Sequence, residues 1–321
     1  MHLIISMGGR ENIIACFYDC DQTLIPEYMQ EGMFRHLSVD PKEFWADNNR
    51  LKEKALKEGV DINRETSYMT NLLIYIKTGR LPALSNADLQ EYGRKFIKPY
   101  PGLPEFFLMT KKAVEEDYGK HGLQLEHYII STGLRKMIQG SCLNAPGALE
   151  QIFASEFLEH EGVISWPVQN VGFIEKTRYL YEANKGTNID PSIDVNKRMP
   201  PEKRRIPFEN MIYVGDGFTD VPCMSMITKL GGQSIAIYDL QKARGKQEAT
   251  ELLRDRRVYR IAEADYRKGG EASDAIEESI NKVARRIIKN RKRRTLLFYI
   301  IKDSASYETH RPRRRSKIVQ R

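Results

Sequence analysis

The chain has 321 residues, 41% of them hydrophobic and 29% charged, which excludes a disordered chain, a collagen-like repeat and a small disulfide scaffold. The net charge of +8 is concentrated at the C-terminus, where residues 285–321 hold fourteen Lys and Arg residues against two acidic residues. The four cysteines form no CxxC pair, which indicates a reducing compartment and argues against a thiolate metal site.

The N-terminus reads MHLIISMGGREN, and its apolar part is too short for a signal peptide. No apolar run in the chain approaches the roughly 18 residues that a membrane-spanning helix needs. We therefore expect a soluble, cytoplasmic protein without a transmembrane segment.

Four short apolar runs have the pattern of strands that are buried on both faces of a parallel sheet, because each stops abruptly at small or acidic residues. Helix-like segments at 103–118 and 177–183 lie between them, and this alternation predicts an open α/β sheet. In such sheets, ligands bind at the carboxyl ends of the strands. The predicted strands span residues 13–18, 128–130, 211–214 and 234–238.

The interval between the first two predicted strands is too long for one crossover helix. Helix-like stretches at 41–58, 64–78 and 86–97 fill it, and almost no strand pattern occurs there. The prolines and glycine of 99–102 then favour a sharp re-entry turn. We predict an α/β core made of residues 1–26 and 99–284, a helical cap at 27–98 and a basic tail at 285–321, with the polar, proline-rich segment 184–207 as a surface loop.

Two sets of acidic residues follow two of the predicted strands. Asp19 and Asp21 come directly after the first strand, where a turn or a helix cap is the alternative interpretation of such residues. Asp216 and Asp220 follow the strand MIYV within the segment GDGFTD, which in isolation is also typical of a simple turn. Up to four carboxylates at the mouths of two strands suit a hard cation such as Mg²⁺.

A cluster of acids repels a phosphorylated substrate unless cations offset its charge, so the pattern points to Mg²⁺ together with a lysine. Ser131, which follows the predicted strand YII, offers a hydroxyl and a backbone N–H. Lys176 offers a positive charge before a helix-like segment, although a lysine in isolation is usually solvated surface.

These motifs, taken in order, resemble the four motifs of the haloacid dehalogenase-like (HAD) hydrolase superfamily. The helical insert after the first motif resembles the phosphoserine-phosphatase-like branch of that superfamily. The resemblance covers residues 13–240 and implies a Rossmann-like α/β core with a mainly parallel sheet and an inserted α-helical cap. The matching segments are Asp19-x-Asp21-x-Thr23, Ser131-Thr132-Gly133, Lys176 and Gly215-Asp216-Gly217-x-Thr219-Asp220.

The resemblance also implies a phosphatase that hydrolyses a small phosphorylated metabolite. Asp19 would attack phosphorus and form an aspartyl-phosphate, while Asp21 would act as the general acid and base. The Asp19 carboxylate, the Asp21 backbone carbonyl and Asp216 would hold Mg²⁺, with Asp220 helping to position the metal site or the lysine. The residues that would bind the phosphoryl oxygens are Ser131, Thr132 and Lys176, with Lys185 as the alternative lysine.

The cap is expected to select the leaving group. Phosphoserine phosphatases usually have a glutamate nine residues after the nucleophile, whereas this chain has Tyr28 there and Glu27 one residue earlier. The resemblance therefore does not identify phosphoserine as the substrate. The predicted cap contacts are Glu27, Tyr28, Gln30 and Arg64, and the alternative for each is an ordinary surface or packing residue.

Two alternative functions stay open at this point. A phosphotransferase or phosphomutase would use the same intermediate and pass the phosphoryl group to an acceptor other than water. The tail contains the basic clusters 291–294 and 311–315, which would bind nucleic acid or an anionic surface weakly. The alternative for the tail is a basic, partly disordered end, which we favour because no nucleic-acid-binding motif accompanies the charge.

Overall fold

The computed structural model describes residues 12–309 of the chain, and the side chains of residues 12–297. A seven-stranded sheet lies at its centre in the order β4-β3-β2-β1-β5-β6-β7. Every neighbouring pair is parallel except β3 and β4, which are antiparallel, so the predicted α/β class with a mainly parallel sheet is confirmed. The strands are β1 (Ile13–Tyr18), β2 (Gln124–Leu134), β3 (Gln151–His160), β4 (Val163–Gln169), β5 (Met211–Gly215), β6 (Gln233–Tyr238) and β7 (Arg260–Glu263).

The four predicted strands are all present, and three further strands were not predicted. Strand β2 continues past Ser131 to Leu134 with an irregular register, so the prediction that Ser131 follows the strand end was wrong. Strands β3, β4 and β7 lie towards the two edges of the sheet; exposed positions interrupt the apolar pattern of β3 and β4, and β7 has only four residues. A continuous apolar run marks only strands that are covered on both faces.

Ten α-helices accompany these strands within the described residues. The segment 27–98, predicted as a cap and called the helical segment below, contains the first four of them and no strand of the sheet. Helix α7 begins one residue before Lys176, so the expectation that Lys176 precedes the helix was wrong. The helices are α1 (Glu31–His36), α2 (Pro41–Lys57), α3 (Ser67–Lys77), α4 (Asn86–Phe96), α5 (Glu105–Tyr118), α6 (Arg135–Gly140), α7 (Glu175–Lys185), α8 (Val221–Lys229), α9 (Gly245–Arg254) and α10 (Glu271–Thr309).

Two apolar layers cover the two faces of the sheet. Alternate side chains of strand β1 face one layer or the other. Cys16 and Tyr18 face the layer that includes α5 and α10, whereas Ala15 and Phe17 face the layer that includes α7 and α8. Burying one large apolar side chain contributes about 1.5–3 kcal/mol. Both layers together hold the strand ends in fixed positions.

Helix α4 of the helical segment packs closely against helix α6. A side chain at Gly93 would place its Cβ 1.9 Å from the carbonyl oxygen of Met137, and one at Gly140 would place its Cβ 1.8 Å from that of Gln90. The two helices can therefore approach this closely only because glycine occupies both positions.

Helix α10 crosses the predicted start of the basic tail at residue 285 without a break. Through Thr309 the tail is thus helical and not irregular, while the basic cluster 311–315 lies outside the described residues. Within the part of the chain that the structure describes, no helix combines the length and the apolar character needed to cross a bilayer.

Candidate active site

Strands β1, β2 and β5 end at the same edge of the sheet and bring the predicted motifs together. Tyr18 pairs with Ile129 of β2 and with Val214 of β5. Asp19 continues this pairing, since its backbone N–H donates to the Val214 carbonyl oxygen at 2.9 Å. The segments that begin at Asp19 and Asp216 therefore leave the sheet next to each other.

Four side chains form what we call the carboxylate cluster: Asp19, Lys176, Asp216 and Asp220. The Nζ atom of Lys176 lies 2.9 Å from Oδ1 of Asp19 and 2.7 Å from Oδ1 of Asp220. Lys176 and Asp220 are both fully buried. Removing one partner from such a buried pair typically costs about 3–5 kcal/mol, because the other charge is left without compensation.

Burial and mutual charge shift the proton affinities of this site. Burial raises the pKa of Asp19 to about 6, although the neighbouring Lys176 opposes that shift. Burial and then the charge of Asp19 raise the pKa of Asp21 to about 8. Burial, followed by the charges of Asp220 and Asp19, raises the pKa of Asp216 well above its ordinary value. Burial thus favours the protonated form of Asp21 more strongly than that of Asp19, which lies against Lys176.

The acidic side chains of the cluster form a group that fits a hard cation. Asp19, Asp216 and Asp220 each offer one carboxylate oxygen, and these oxygens lie within 4.8 Å of one another. The second oxygen of Asp220, Oδ2, is buried and has no hydrogen-bond partner. A Cβ at Gly215 would lie 2.3 Å from this oxygen, so glycine is needed to leave space for it. Carboxylate oxygens are ligands that Mg²⁺ prefers.

Asp21 is turned differently from these three acids. Its Oδ1 accepts a hydrogen bond from the backbone N–H of Met29 at 3.0 Å, so its side chain faces the start of the helical segment. Its neighbour Gln22 has a positive φ of 63°, a conformation that glycine adopts more readily. The turn after β1 thus sends Asp19 and Asp21 in different directions.

Ser131 and Thr132 lie near the end of strand β2. The Ser131 hydroxyl oxygen is buried and accepts a hydrogen bond from the Gly133 N–H at 3.0 Å. The Thr132 carbonyl oxygen accepts hydrogen bonds from the Tyr68 hydroxyl at 2.9 Å and from the Ser155 hydroxyl at 3.1 Å. The bond from Tyr68 joins the helical segment to this strand.

The two candidate lysines lie at opposite ends of helix α7. Lys176 is in its first turn and contacts Asp19, as described above. Lys185 is its last residue and donates to the carbonyl oxygens of Val195 and Lys197, the latter at 2.7 Å. The structure places only the first of these two lysines in the carboxylate cluster.

The four predicted cap contacts lie in different parts of the structure. Tyr28 lies near the site, since burial and then the charges of Asp21 and Asp216 raise its pKa. Gln30 is almost completely buried. Glu27 is exposed and forms an ion pair with Arg35. Arg64 is exposed and lines a separate cavity between helix α2 and the loop after it.

Two contacts of the site were not predicted from the sequence, although Thr23 belongs to the first motif. The hydroxyl of Tyr213 donates to Oδ1 of Asp220 at 2.7 Å from within strand β5. The hydroxyl of Thr23 donates to Oδ1 of Asp216 at 3.4 Å. A tyrosine within a buried run is typical of core packing, and nothing along the chain distinguishes one that carries such a contact.

Comparison with curated proteins finds an uncharacterized protein of Borreliella burgdorferi (strain ATCC 35210 / DSM 4680 / CIP 102532 / B31). The two are 32% identical over 295 residues, which cover 85% of this chain and 99% of the Borreliella protein. No family model matches the chain.

Comparison with solved structures finds a probable phosphoserine phosphatase from Vibrio cholerae in its unliganded form, with a TM-score of 0.52 and 14% identity. The match covers 88% of this chain and 69% of that one. A HAD family hydrolase from Salmonella enterica subsp. enterica serovar Typhi matches with a TM-score of 0.48 and 20% identity, over 78% of this chain and 67% of that one. The likeness to the Vibrio cholerae structure confirms the predicted fold, and the comparisons give no support to nucleic-acid binding.

Proposed function

Because the chain belongs to the family of the Borreliella burgdorferi protein and has the HAD-like fold, we propose that it is a Mg²⁺-dependent phosphatase of small phosphomonoesters. The observation that carries this proposal is the pairing of a nucleophile and an acid. The carboxylate of Asp19 lies 2.9 Å from the ammonium of Lys176, and burial raises the pKa of Asp21, two residues later, which favours its protonated form. The name of the Vibrio cholerae neighbour supports the same reaction class.

The reaction has two steps in this proposal. An oxygen of Asp19 attacks phosphorus, the bond to the leaving oxygen breaks, and Asp21 gives its proton to that oxygen. Asp21, now a carboxylate, then takes a proton from water as the water attacks the aspartyl-phosphate. Inorganic phosphate leaves, and Asp19 and Asp21 return to their initial states.

Lys176, Ser131 and Thr132 stabilise the transferring phosphoryl group in this proposal. The ammonium of Lys176 already touches Asp19, so it lies where negative charge develops in the transition state. The Ser131 hydroxyl and the backbone around Thr132 supply neutral hydrogen bonds from strand β2. The helical segment 27–98 acts as the cap over this site.

Mg²⁺ would be held by the carboxylates of Asp19 and Asp216, with the Asp21 backbone carbonyl, and Asp220 would keep Lys176 and the site in position. When bound, the ion offsets the charge of the acids and of the phosphate dianion. The unpartnered oxygen of Asp220 supports a cation in this region.

The test is hydrolysis of p-nitrophenyl phosphate with Mg²⁺ by the full chain and by Asp19→Asn. We expect the variant to lose phosphate release entirely, because an amide oxygen does not form the covalent intermediate. The exposed Asp117→Asn is the matched control and is expected to keep wild-type rates. Equal turnover by Asp19→Asn, with its fold verified by circular dichroism, would contradict the mechanism.

A further inference from the structure

Residues of the helical segment surround the side of Asp21 on which the leaving group must lie. The hydrogen bond from the Met29 N–H fixes the start of this segment against the Asp21 carboxyl group. Tyr28 is 43% exposed, and the charge of Asp21 acts on its hydroxyl. Asp21 also acts on the buried hydroxyl of Tyr68. Tyr68 in turn donates to the Thr132 carbonyl oxygen at 2.9 Å, which holds this part of the helical segment against strand β2.

Trp45 of helix α2 lies between the two tyrosines. Its ring centroid is 5.2 Å from that of Tyr28 and 6.0 Å from that of Tyr68. Aromatic faces at this spacing form a surface suited to planar apolar groups. The three rings together form a wall of aromatic side chains that is exposed to solvent at Tyr28.

Two polar atoms beside these rings have no partner. The side chain of Gln30 is 2% exposed, its amide interacts with the Tyr68 hydroxyl, and its Oε1 accepts no hydrogen bond. The indole Nε1 of Trp45 is also buried and donates to no acceptor. A buried polar atom without a partner costs about 1–3 kcal/mol. A ligand that reached these enclosed atoms with one donor and one acceptor would satisfy both.

Two acidic side chains near these rings pair with an arginine of the same segment. Glu27 and Glu31 both pair with Arg35, the latter at 3.4 Å. Arg64 points into its separate cavity beside helix α2. The three rings themselves carry no charge, although the charges of Glu31 and Lys242 act on Asp21 from nearby, so the ring surface favours an uncharged planar group over an ammonium or a carboxylate.

We propose that Tyr28, Gln30, Trp45 and Tyr68 form the subsite for the leaving group. The substrate is a phosphomonoester of an uncharged alcohol that carries a planar ring with a hydrogen-bond donor and an acceptor. This inference rests on the proposed function, because it places the leaving group next to Asp21, the residue that protonates the leaving oxygen.

The first experiment compares kcat/KM for four phosphomonoesters of alkyl alcohols. Cytidine 5′-monophosphate carries a planar ring with donor and acceptor groups, benzyl phosphate carries a ring without them, glycerol 1-phosphate has no ring, and phosphoserine is charged. We expect cytidine 5′-monophosphate to be fastest, benzyl phosphate next, and the other two slower by about tenfold or more. Preference for phosphoserine or glycerol 1-phosphate would overturn the subsite.

Two conservative variants test the subsite residue by residue. Trp45→Phe keeps a ring and removes the Nε1 donor, and Gln30→Met keeps the length and removes the acceptor. In each we expect the ratio of kcat/KM for cytidine 5′-monophosphate to that for benzyl phosphate to fall about fivefold to tenfold. An unchanged ratio in both variants would contradict the assigned hydrogen bonds.

The second experiment does not depend on catalysis. The chain has two tryptophans, Trp45 and the exposed Trp166. In the full-length Trp166→Phe protein all tryptophan fluorescence comes from Trp45, and we expect cytidine to change it saturably while glycerol does not. Absence of any change overturns the subsite even if the phosphatase activity is present. If none of the four phosphomonoesters is hydrolysed but cytidine changes the fluorescence, the proposed function fails and the subsite stands.

Discussion

Two buried polar clusters lie side by side at the end of strand β1, and they differ in charge and in completeness. The first, called the histidine cluster, consists of Tyr18, Thr110 and His127 within the apolar layer around helix α5. The second is the carboxylate cluster, which begins at the very next residue, Asp19. One strand thus contributes adjacent residues to two sites of opposite character.

Every side-chain polar atom of the histidine cluster has a partner. The Thr110 hydroxyl donates to the Phe106 carbonyl oxygen at 2.9 Å, so it accepts from Nε2–H of His127 at 3.0 Å. The other ring nitrogen, Nδ1, then accepts from the Tyr18 hydroxyl at 3.1 Å. Burial lowers the pKa of His127 to about 3, so the cluster is neutral at physiological pH. It joins β1, β2 and α5 and offers nothing to a ligand.

The carboxylate cluster is charged and incomplete. It contains three acids and one lysine, and one buried oxygen of Asp220 has no partner. Such an arrangement is stable only with help from the surrounding packing or from a bound cation. Burial of polar groups therefore does not by itself indicate function, since the histidine cluster is complete whereas the carboxylate cluster leaves a buried oxygen without a partner.

Among the substitutions that test the difference between the two clusters, Lys176→Met is expected to have the largest effect. Loss of the buried ammonium removes stabilisation of the transferring phosphoryl group, and we expect kcat/KM to fall by about 100-fold or more. Lys185→Met is the matched control on the same helix, and we expect a change below about twofold. Similar losses in both variants would remove the distinction between the two lysines.

Addition of Mg²⁺ without substrate is expected to stabilise the protein, because the cation binds the folded carboxylate cluster and not the unfolded chain. A concentration of about 100 times Kd would add about 2.7 kcal/mol to the free energy of unfolding. Thermal unfolding measures this against NaCl of equal ionic strength. In Asp216→Asn the Mg²⁺ effect should be strongly reduced, and an equal rise in Tm would place the cation elsewhere.

The histidine cluster predicts a smaller effect that appears only in acid. The pKa of His127 is about 3 in the folded chain and about 6.5 when unfolded, so below pH 6.5 the unfolded chain binds the additional proton. We expect the free energy of unfolding to fall by about 1.4 kcal/mol more per pH unit than in His127→Gln, between pH 6.5 and the acid transition. Urea titrations at several pH values measure it. Parallel pH profiles of the two proteins would show that His127 is not buried in its neutral form.

The sequence predicted the centre of the fold better than its edges. Strand β1 was predicted at its observed limits because a strand covered on both faces is a continuous apolar run. Strands β3 and β4 were missed because their exposed positions break that run, and β4 also contains Pro167. Helix α10 was cut at residue 285 because the charge changes there although the helix does not.

The candidate site was predicted as a set of acids and a lysine, but not as a geometry. Resemblance favoured Lys176 over Lys185, and the structure places Lys176 against Asp19. The contact from Tyr213 to Asp220 depends on how β5 and the following turn fold back on each other, which spacing along the chain does not reveal. The same holds for the approach of Tyr68 to strand β2.

The central claim, that Asp19 forms a covalent intermediate which Asp21 helps water to hydrolyse, is tested most directly with Asp21→Asn and p-nitrophenyl phosphate. Nitrophenolate leaves with little need for an acid, so the first step should proceed while the second lacks its base. We predict a burst of one nitrophenolate per active site, followed by a stall, with the phosphoryl group found on Asp19 in the acid-quenched peptide. Steady turnover at the wild-type rate without a burst, or a phosphoryl group on any other residue, would contradict the account.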